Sequence, residues 1–168
     1  MRVYVPATLA MLQTLVADRS ISAVNGTAFA VTPALRESYS DGDDDELAEV
    51  ALREAALASV RLLAGAADDG PSGLPDRRAV LVAEVDGAKP RPDLDDAVVR
   101  LSGPVSYDQV FAAYVDNEAA ETAVKAAIDA VDAADLGDED AELTVGDAQD
   151  HDLAWYATQE LPFLLDLL

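Results

Sequence analysis

The sequence predicts an α/β protein in which helices cover a mixed sheet of about five strands, with an α+β arrangement as the alternative. Short runs of β-forming residues alternate with segments that repeat their apolar residues at helical spacing. Hydrophobic residues make up 51% of the 168 positions, which is enough to build a buried core without disulfides. The length fits one domain, and we expect residues 1–168 to form it.

Two segments near the start share the order strand, threonine, helix. Residues 2–5 and 28–31 carry β-forming side chains and predict the first two strands. Thr8 and Thr32 each follow a strand, and a threonine hydroxyl can accept a hydrogen bond from a free amide at a helix start. Pro33 suits the first helical position. The pattern therefore predicts a helix after each of these strands.

The clearest helical pattern runs over residues 44–63. One side of this segment is apolar, and the other carries Glu49 and Arg53 in the order that favours an exposed ion pair. The glycine- and proline-rich stretch 65–76 predicts a connecting loop.

The acidic run at residues 41–46 raises the question of a calcium site. In an EF-hand loop the sixth position is glycine and the twelfth is glutamate, but here they are Glu46 and Leu52. We therefore expect no tightly bound cation, and expect these acids to stabilise the positive end of the following helix.

The second half of the chain repeats the alternation. Residues 79–85 are apolar enough to form a central strand, and 97–101 predict another beyond the loop 87–96. Ser106 and Gln109 have capping-box spacing, which predicts a helix through residue 114. The remaining patterns predict a helix at 118–134, a strand at 142–145 and a helix at 152–160 that Pro162 ends.

Charge limits the classes of partner. The chain has 33 acidic and 11 basic residues, a net charge of −22, and no basic cluster. Such a field repels nucleic acids and anionic membranes, and it favours a basic protein partner or a small ligand. The absence of cysteine and of a long apolar run favours a cytoplasmic protein. The acidity fits either GC-rich coding or adaptation to high salt.

The residues that common enzyme sites require are largely missing. With one histidine and no cysteine, the chain cannot build a thiolate metal site or a multi-histidine centre. It has no nucleophile elbow and no glycine-rich dinucleotide loop. We therefore expect no cofactor, no metal and no catalytic residue of a familiar class.

The C-terminal stretch 151–160 is the best candidate for a functional surface. On the predicted helix, His151, Trp155 and Gln159 share one line, with Tyr156 and Glu160 beside it. Aromatic rings flanked by polar groups can hold a ligand or a peptide. The alternative is that the rings are buried and the neighbouring polar groups satisfy them.

Arg36 and Glu37 complete this candidate binding surface. Both follow a short strand, as the stretch 151–160 does, so both segments could emerge at one edge of the sheet. Arg36 is one of few bases and could hold a carboxylate or phosphate. Its alternative role is a structural pair with a nearby acid such as Glu160.

Two function classes remain open. The first is a non-catalytic binding or interaction module. The second is a small hydrolase or transferase in which His151 and Glu160 act as acid and base. The second class requires both side chains to face one cleft.

Three blocks of sequence resemble an uncharacterised family of actinobacterial proteins. They are MRVYVP at residues 1–6, AVTPALRE at 30–37 and WYATQE at 155–160. The resemblance covers nearly the whole chain and implies a cytoplasmic bacterial protein. It implies no activity, cofactor or catalytic residue.

Overall fold

A computed structural model describes residues 1–67, 70 and 72–168. Within these ranges the chain forms nine strands: β1 (Arg2–Ala7), β2 (Ser20–Ile21), β3 (Thr27–Phe29), β4 (Ala79–Glu84), β5 (Lys89–Pro90), β6 (Val98–Arg100), β7 (Val105–Ser106), β8 (Val110–Val115) and β9 (Ala154–Ala157). The same ranges contain six α-helices: α1 (Leu9–Asp18), α2 (Pro33–Ser38), α3 (Asp44–Ala67), α4 (Glu121–Asp135), α5 (Glu139–Gln149) and α6 (Leu161–Asp166). None of these helices is long and apolar enough to cross a membrane.

Seven strands form one sheet in the order β5-β6-β3-β1-β4-β8-β9, and β2 pairs with β7 separately. The α/β class is as predicted, and β4 lies centrally, between β1 and β8. The sheet is larger than the predicted five strands. It is also antiparallel rather than mixed, since each pairing found among the described residues is antiparallel.

Helices cover both faces of the sheet. On the first face, α1 and α6 bury Leu12 and Leu161 against strand residues such as Leu81. On the second face, α3 packs Leu47 and Ala51 against the sheet. A third apolar cluster joins α3 to α4 and α5. The first cluster combines residues from before and after the loop that follows α3.

Several local predictions are confirmed. The hydroxyls of Thr8 and Thr32 accept hydrogen bonds from the amides of Met11 and Leu35 at the starts of α1 and α2. Asp43 accepts from the Glu46 amide at 2.9 Å, so an acid of the 41–46 run does cap α3. The predicted loop 65–76 begins too early because α3 continues to Ala67, and its residues 68, 69 and 71 lie outside the described part.

The predicted helix that follows Ser106 is wrong. The capping box is present, but it closes one 3₁₀ turn (Tyr107–Gln109), after which the chain enters β8. β8 lies between β4 and β9, and four of its six residues are buried. Pairing with strands on both sides therefore makes this segment a strand, although Tyr107, Val110, Phe111 and Tyr114 stand at helical spacing.

In the C-terminal quarter, the predicted strand is part of a helix and the predicted helix contains a strand. Residues 142–145, predicted as a strand, lie inside α5, where Asp138 caps the helix by accepting from the Ala141 amide. Residues 152–160, predicted as a helix, form β9 and a 3₁₀ turn (Thr158–Glu160). Pro162 does not end a helix but stands in the first turn of α6, where its missing amide proton costs nothing. The predicted loop 87–96 also contains β5.

Candidate functional site

A cleft of about 470 Å³ opens between α3 and the second face of the sheet. Its α3 wall presents Asp45, Ala48, Glu49, Leu52, Arg53 and Ala56. Its remaining wall residues come from β1 and β8, from the position before β4, and from the end of α5 with the segment that leads to β9: Arg2, Tyr4, Arg78, Tyr114, Gln149, His151, Asp152 and Leu153. A second depression, of about 80 Å³, lies elsewhere, between residues 85–86 and 101–104. We refer to the larger one as the α3 cleft.

A buried serine holds α3 in place over the sheet. Ser59 donates to the Ala7 carbonyl at 2.7 Å and accepts from the Ala79 amide at 3.1 Å. Ser59 itself is fully buried, and these bonds satisfy its hydroxyl while tying α3 to both β1 and β4. The wall of the α3 cleft is therefore anchored to the centre of the sheet.

Arg78, which lines the α3 cleft, belongs to a buried ion pair with Asp116. Arg78 precedes β4 and Asp116 follows β8, and both side chains are at most 1% exposed. The Arg78 Nε and Nη2 atoms each donate to one Asp116 carboxylate oxygen at 2.8 Å, and the Arg78 amide adds a third bond of 2.8 Å. Such a two-pronged contact fixes the plane of the guanidinium as well as its position.

Arg78 also positions the segment that closes one end of the α3 cleft. Its Nη1 donates to Gln149 Oε1 at 3.0 Å, and its Nη2 donates to the His151 carbonyl at 2.7 Å. Gln149 in turn donates from Nε2 to the Arg53 carbonyl at 3.2 Å. One guanidinium thus connects β4, β8, the end of α5 and the His151 backbone.

Arg53 and His151 provide nitrogen donors of the α3 cleft that are little used among the described residues. The Arg53 side chain is exposed, and among the described residues its guanidinium makes one hydrogen bond, a long one of 3.5 Å to the Gln149 carbonyl. The Glu49–Arg53 ion pair expected from the sequence is not found among the described residues. The imidazole of His151 has no hydrogen bond within the described ranges, although the backbone of His151 is held at both ends.

The opposite end of the α3 cleft carries a cation that is already engaged. Arg2 donates to Glu84 at 3.4 Å, and its guanidinium lies over the Phe111 ring, 4.6 Å from the centroid. Burial raises the pKa of the neighbouring Tyr4, and Arg2 opposes that shift in part. The Tyr4 phenol is therefore neutral at physiological pH and can donate a hydrogen bond.

Of the seven predicted site residues, the structure places His151 in the α3 cleft and the other six elsewhere. Arg36 and Glu37 are exposed on α2, where Arg36 pairs with Asp44 at 2.5 Å rather than with Glu160. Three strands separate β9 from β3, the strand that precedes α2.

Residues 155–157 lie on the edge strand β9 and residues 158–160 in the 3₁₀ turn that follows it, so they do not form one helical surface. Trp155 is 55% exposed on β9, while Tyr156 packs against the core of the first face. Gln159 and Glu160 are exposed in the following 3₁₀ turn. His151 and Glu160, the acid–base pair of the enzyme hypothesis, do not share the α3 cleft.

Sequence reasoning missed the most connected residues of the site. Arg78 and Asp116 are 38 positions apart, and no local pattern links them. The available signal was their placement, one directly before an apolar strand and the other directly after a strand. That signal was hidden because the sequence pattern predicts a helix at the position of β8.

Among the described residues, no group of three or more histidine, aspartate or glutamate side chains is placed to hold a metal ion. A family model described as a family of unknown function, DUF6912, matches residues 1–165. No curated protein sequence and no solved structure matches the chain.

Proposed function

The chain belongs to the DUF6912 family, whose function is unknown, and we propose that it is a binding protein whose α3 cleft holds a small organic acid. Arg53 carries this proposal, because it lines the cleft and, within the part of the chain that the structure describes, its guanidinium makes one long hydrogen bond. Arginine presents donors in a planar fork that matches a carboxylate or a phosphate.

The shape and lining of the α3 cleft support a ligand of metabolite size. Its volume of about 470 Å³ falls within the roughly 300–1,000 Å³ of typical small-molecule sites. Tyr4, Tyr114, Leu52 and Leu153 supply apolar and aromatic surface, and His151 lies with Arg53 among the lining residues. We assign the acidic group of the ligand to Arg53 and His151, and its apolar part to the two tyrosines.

The surrounding charge gives this assignment selectivity. In a chain of net charge −22, an anion is repelled from most of the surface, so an acid needs a local cation to bind. The carboxylates of Asp45, Glu49 and Asp152 also line the α3 cleft. They favour an acid that carries an additional amino or hydroxyl group, and they disfavour the polyanionic backbone of a nucleic acid.

Binding can be tested with a panel of small carboxylic and phosphoric acids, screened by thermal stabilisation and measured by calorimetry. We expect at least one acid to raise the Tm of the wild-type chain, and Arg53→Gln to weaken its binding about tenfold or more. The matched control is Arg36→Gln, which removes an equal charge from an exposed arginine outside the cleft and should leave the affinity unchanged. Equal affinity of the wild type and Arg53→Gln would contradict the proposal.

We also propose that the protein works in the cytoplasm. The absence of cysteine suits a reducing compartment, since exported domains often rely on disulfides. Fractionation of native cells followed by immunodetection tests this, and recovery of the protein outside the cytoplasmic fraction would contradict it.

A further inference from the structure

The two ends of the seven-stranded sheet are built differently. At one end, β5 consists of Lys89 and Pro90, the residue types that natural proteins place on edge strands to prevent further pairing. At the other end, β9 has the sequence Ala-Trp-Tyr-Ala and contains neither lysine nor proline. β9 pairs with β8 on one side, and the strand order ends there.

Among the described residues, β9 makes no main-chain hydrogen bond to another strand on its outer side. None of its four residues is buried, although two of them are small alanines. An unpaired strand edge offers a row of amide donors and carbonyl acceptors that an extended segment can complete.

Trp155 marks the edge of β9 as a recognition surface. It stands opposite Tyr114 of β8, and 55% of its surface is exposed. An added strand would place one of its side chains beside the Trp155 ring, because directly opposed residues on paired strands are in contact. A tryptophan face also attracts a guanidinium or an ammonium more strongly than other aromatic rings do.

The charge around β9 selects the partner. Residues 126–168, which include α5, β9 and α6, contain twelve aspartates and glutamates and no lysine or arginine. Asp152 lies just before β9 and Glu160 just after it. A second copy of this chain would bring the same acidic segment against itself, whereas a basic segment would be attracted to it.

We infer that β9 is a docking edge for an extended, arginine- or lysine-bearing segment of a protein partner, which adds to the sheet as an eighth strand. Main-chain hydrogen bonds to β9 supply affinity, and a cationic side chain over Trp155 supplies selectivity. β9 contributes no residue to the lining of the α3 cleft, although Trp155 stands opposite Tyr114, which does line it. The inference does not depend on the proposed ligand.

The chain provides its own probe, because Trp155 is its one tryptophan. Titration with a peptide of alternating arginine and valine should change the intensity and wavelength of the Trp155 emission in a saturable way. A peptide of the same sequence, N-methylated on alternate residues so that one edge cannot pair, should bind at least tenfold more weakly. Equal binding of the two peptides would show attraction by charge alone and would overturn strand addition.

Variants of the chain test whether the peptide binds at β9. Binding of a labelled arginine–valine peptide is measured by its fluorescence anisotropy. Trp155→Lys places a cation at the edge and should weaken binding at least tenfold, while Trp155→Ala should weaken it less. The matched control is Phe163→Lys, which adds the same charge at an aromatic residue 72% exposed on α6. If Phe163→Lys weakens binding as much as Trp155→Lys does, β9 is not the docking edge.

Sedimentation separates the proposed partner from a second copy. We expect the wild-type chain to remain monomeric at concentrations where the peptide binds. A dimer that Trp155→Lys dissociates would assign β9 to self-association and would overturn the inference.

Discussion

At the scale of single residues, the site depends on a contact that sequence patterns do not reveal. Local hydrogen bonds, such as the caps made by Thr8, Thr32 and Asp43, follow from residues three positions apart and could be predicted. The pair of Arg78 and Asp116 joins distant positions and forms only when β4 and β8 align. A buried guanidinium is costly without its acid, so this pair constrains the alignment of the strands.

Removing the acid of this pair should be strongly destabilising. We expect Asp116→Ala to lower the free energy of unfolding by about 3–5 kcal/mol, because Arg78 is left buried and unpaired. The control is Asp135→Ala, which breaks the half-exposed pair with Arg61 and should cost about 1 kcal/mol or less. Urea unfolding measures both, and similar losses would contradict the structural role of Arg78.

The partly buried Glu54 should make the stability of the fold depend on pH. Desolvation, with a contribution from Asp95, raises the pKa of Glu54 above its ordinary value. Its ionised form therefore costs stability at neutral pH. As the pH falls through the raised pKa the folded state takes up a proton first, and the cost disappears. Once the pH is below the ordinary pKa, both states are protonated.

We therefore expect Glu54→Gln to raise the Tm at pH 7 by a few degrees, and the difference from wild type to vanish below about pH 4. Asp129→Asn removes an equal charge from an exposed position on α4 and serves as the control for reduced self-repulsion. Equal gains from the two substitutions would contradict the burial cost at Glu54.

At the scale of elements, the long helices were predicted correctly, and the errors lie in short segments of the second half of the chain. The 24-residue α3 and the 15-residue α4 each repeat the helical spacing of apolar residues over several turns. Segments of four to six residues, such as 110–115 and 142–145, satisfy helical and strand spacing equally well. Their structure is decided by partners far along the chain, as β4 and β9 decide β8.

The cap at the start of α3 should contribute measurably to the stability of the fold. Asp43 accepts from the Glu46 amide, and loss of such a cap costs about 0.5–2 kcal/mol. Asp43→Ala should lower the free energy of unfolding by that amount, while Asp41→Ala, two residues earlier, should change it little. Urea unfolding distinguishes them, and equal losses would show that general acidity rather than capping stabilises α3.

At the scale of the whole molecule, the antiparallel sheet explains why the candidate site could be predicted only in part. His151, one of the residues singled out from the sequence, does line the α3 cleft, but the sequence pattern placed it on a helix with Trp155 and Glu160. In the structure, His151 belongs to the turn that Arg78 holds at the end of the α3 cleft. Trp155 follows on the edge strand β9, and Glu160 lies in the 3₁₀ turn after it. The positions depend on strand order, which local patterns do not contain.

Amide chemical-shift mapping can establish whether the α3 cleft is the ligand site. The measurement is a titration of the isotope-labelled protein with the acid that best stabilises it. We predict that the largest shifts occur at Arg53, Arg78, Tyr114 and Leu153, and that α2 around Arg36 is unaffected. Shifts concentrated at α2, or in the smaller depression at residues 101–104, with the cleft amides unmoved, would show that the ligand binds outside the α3 cleft.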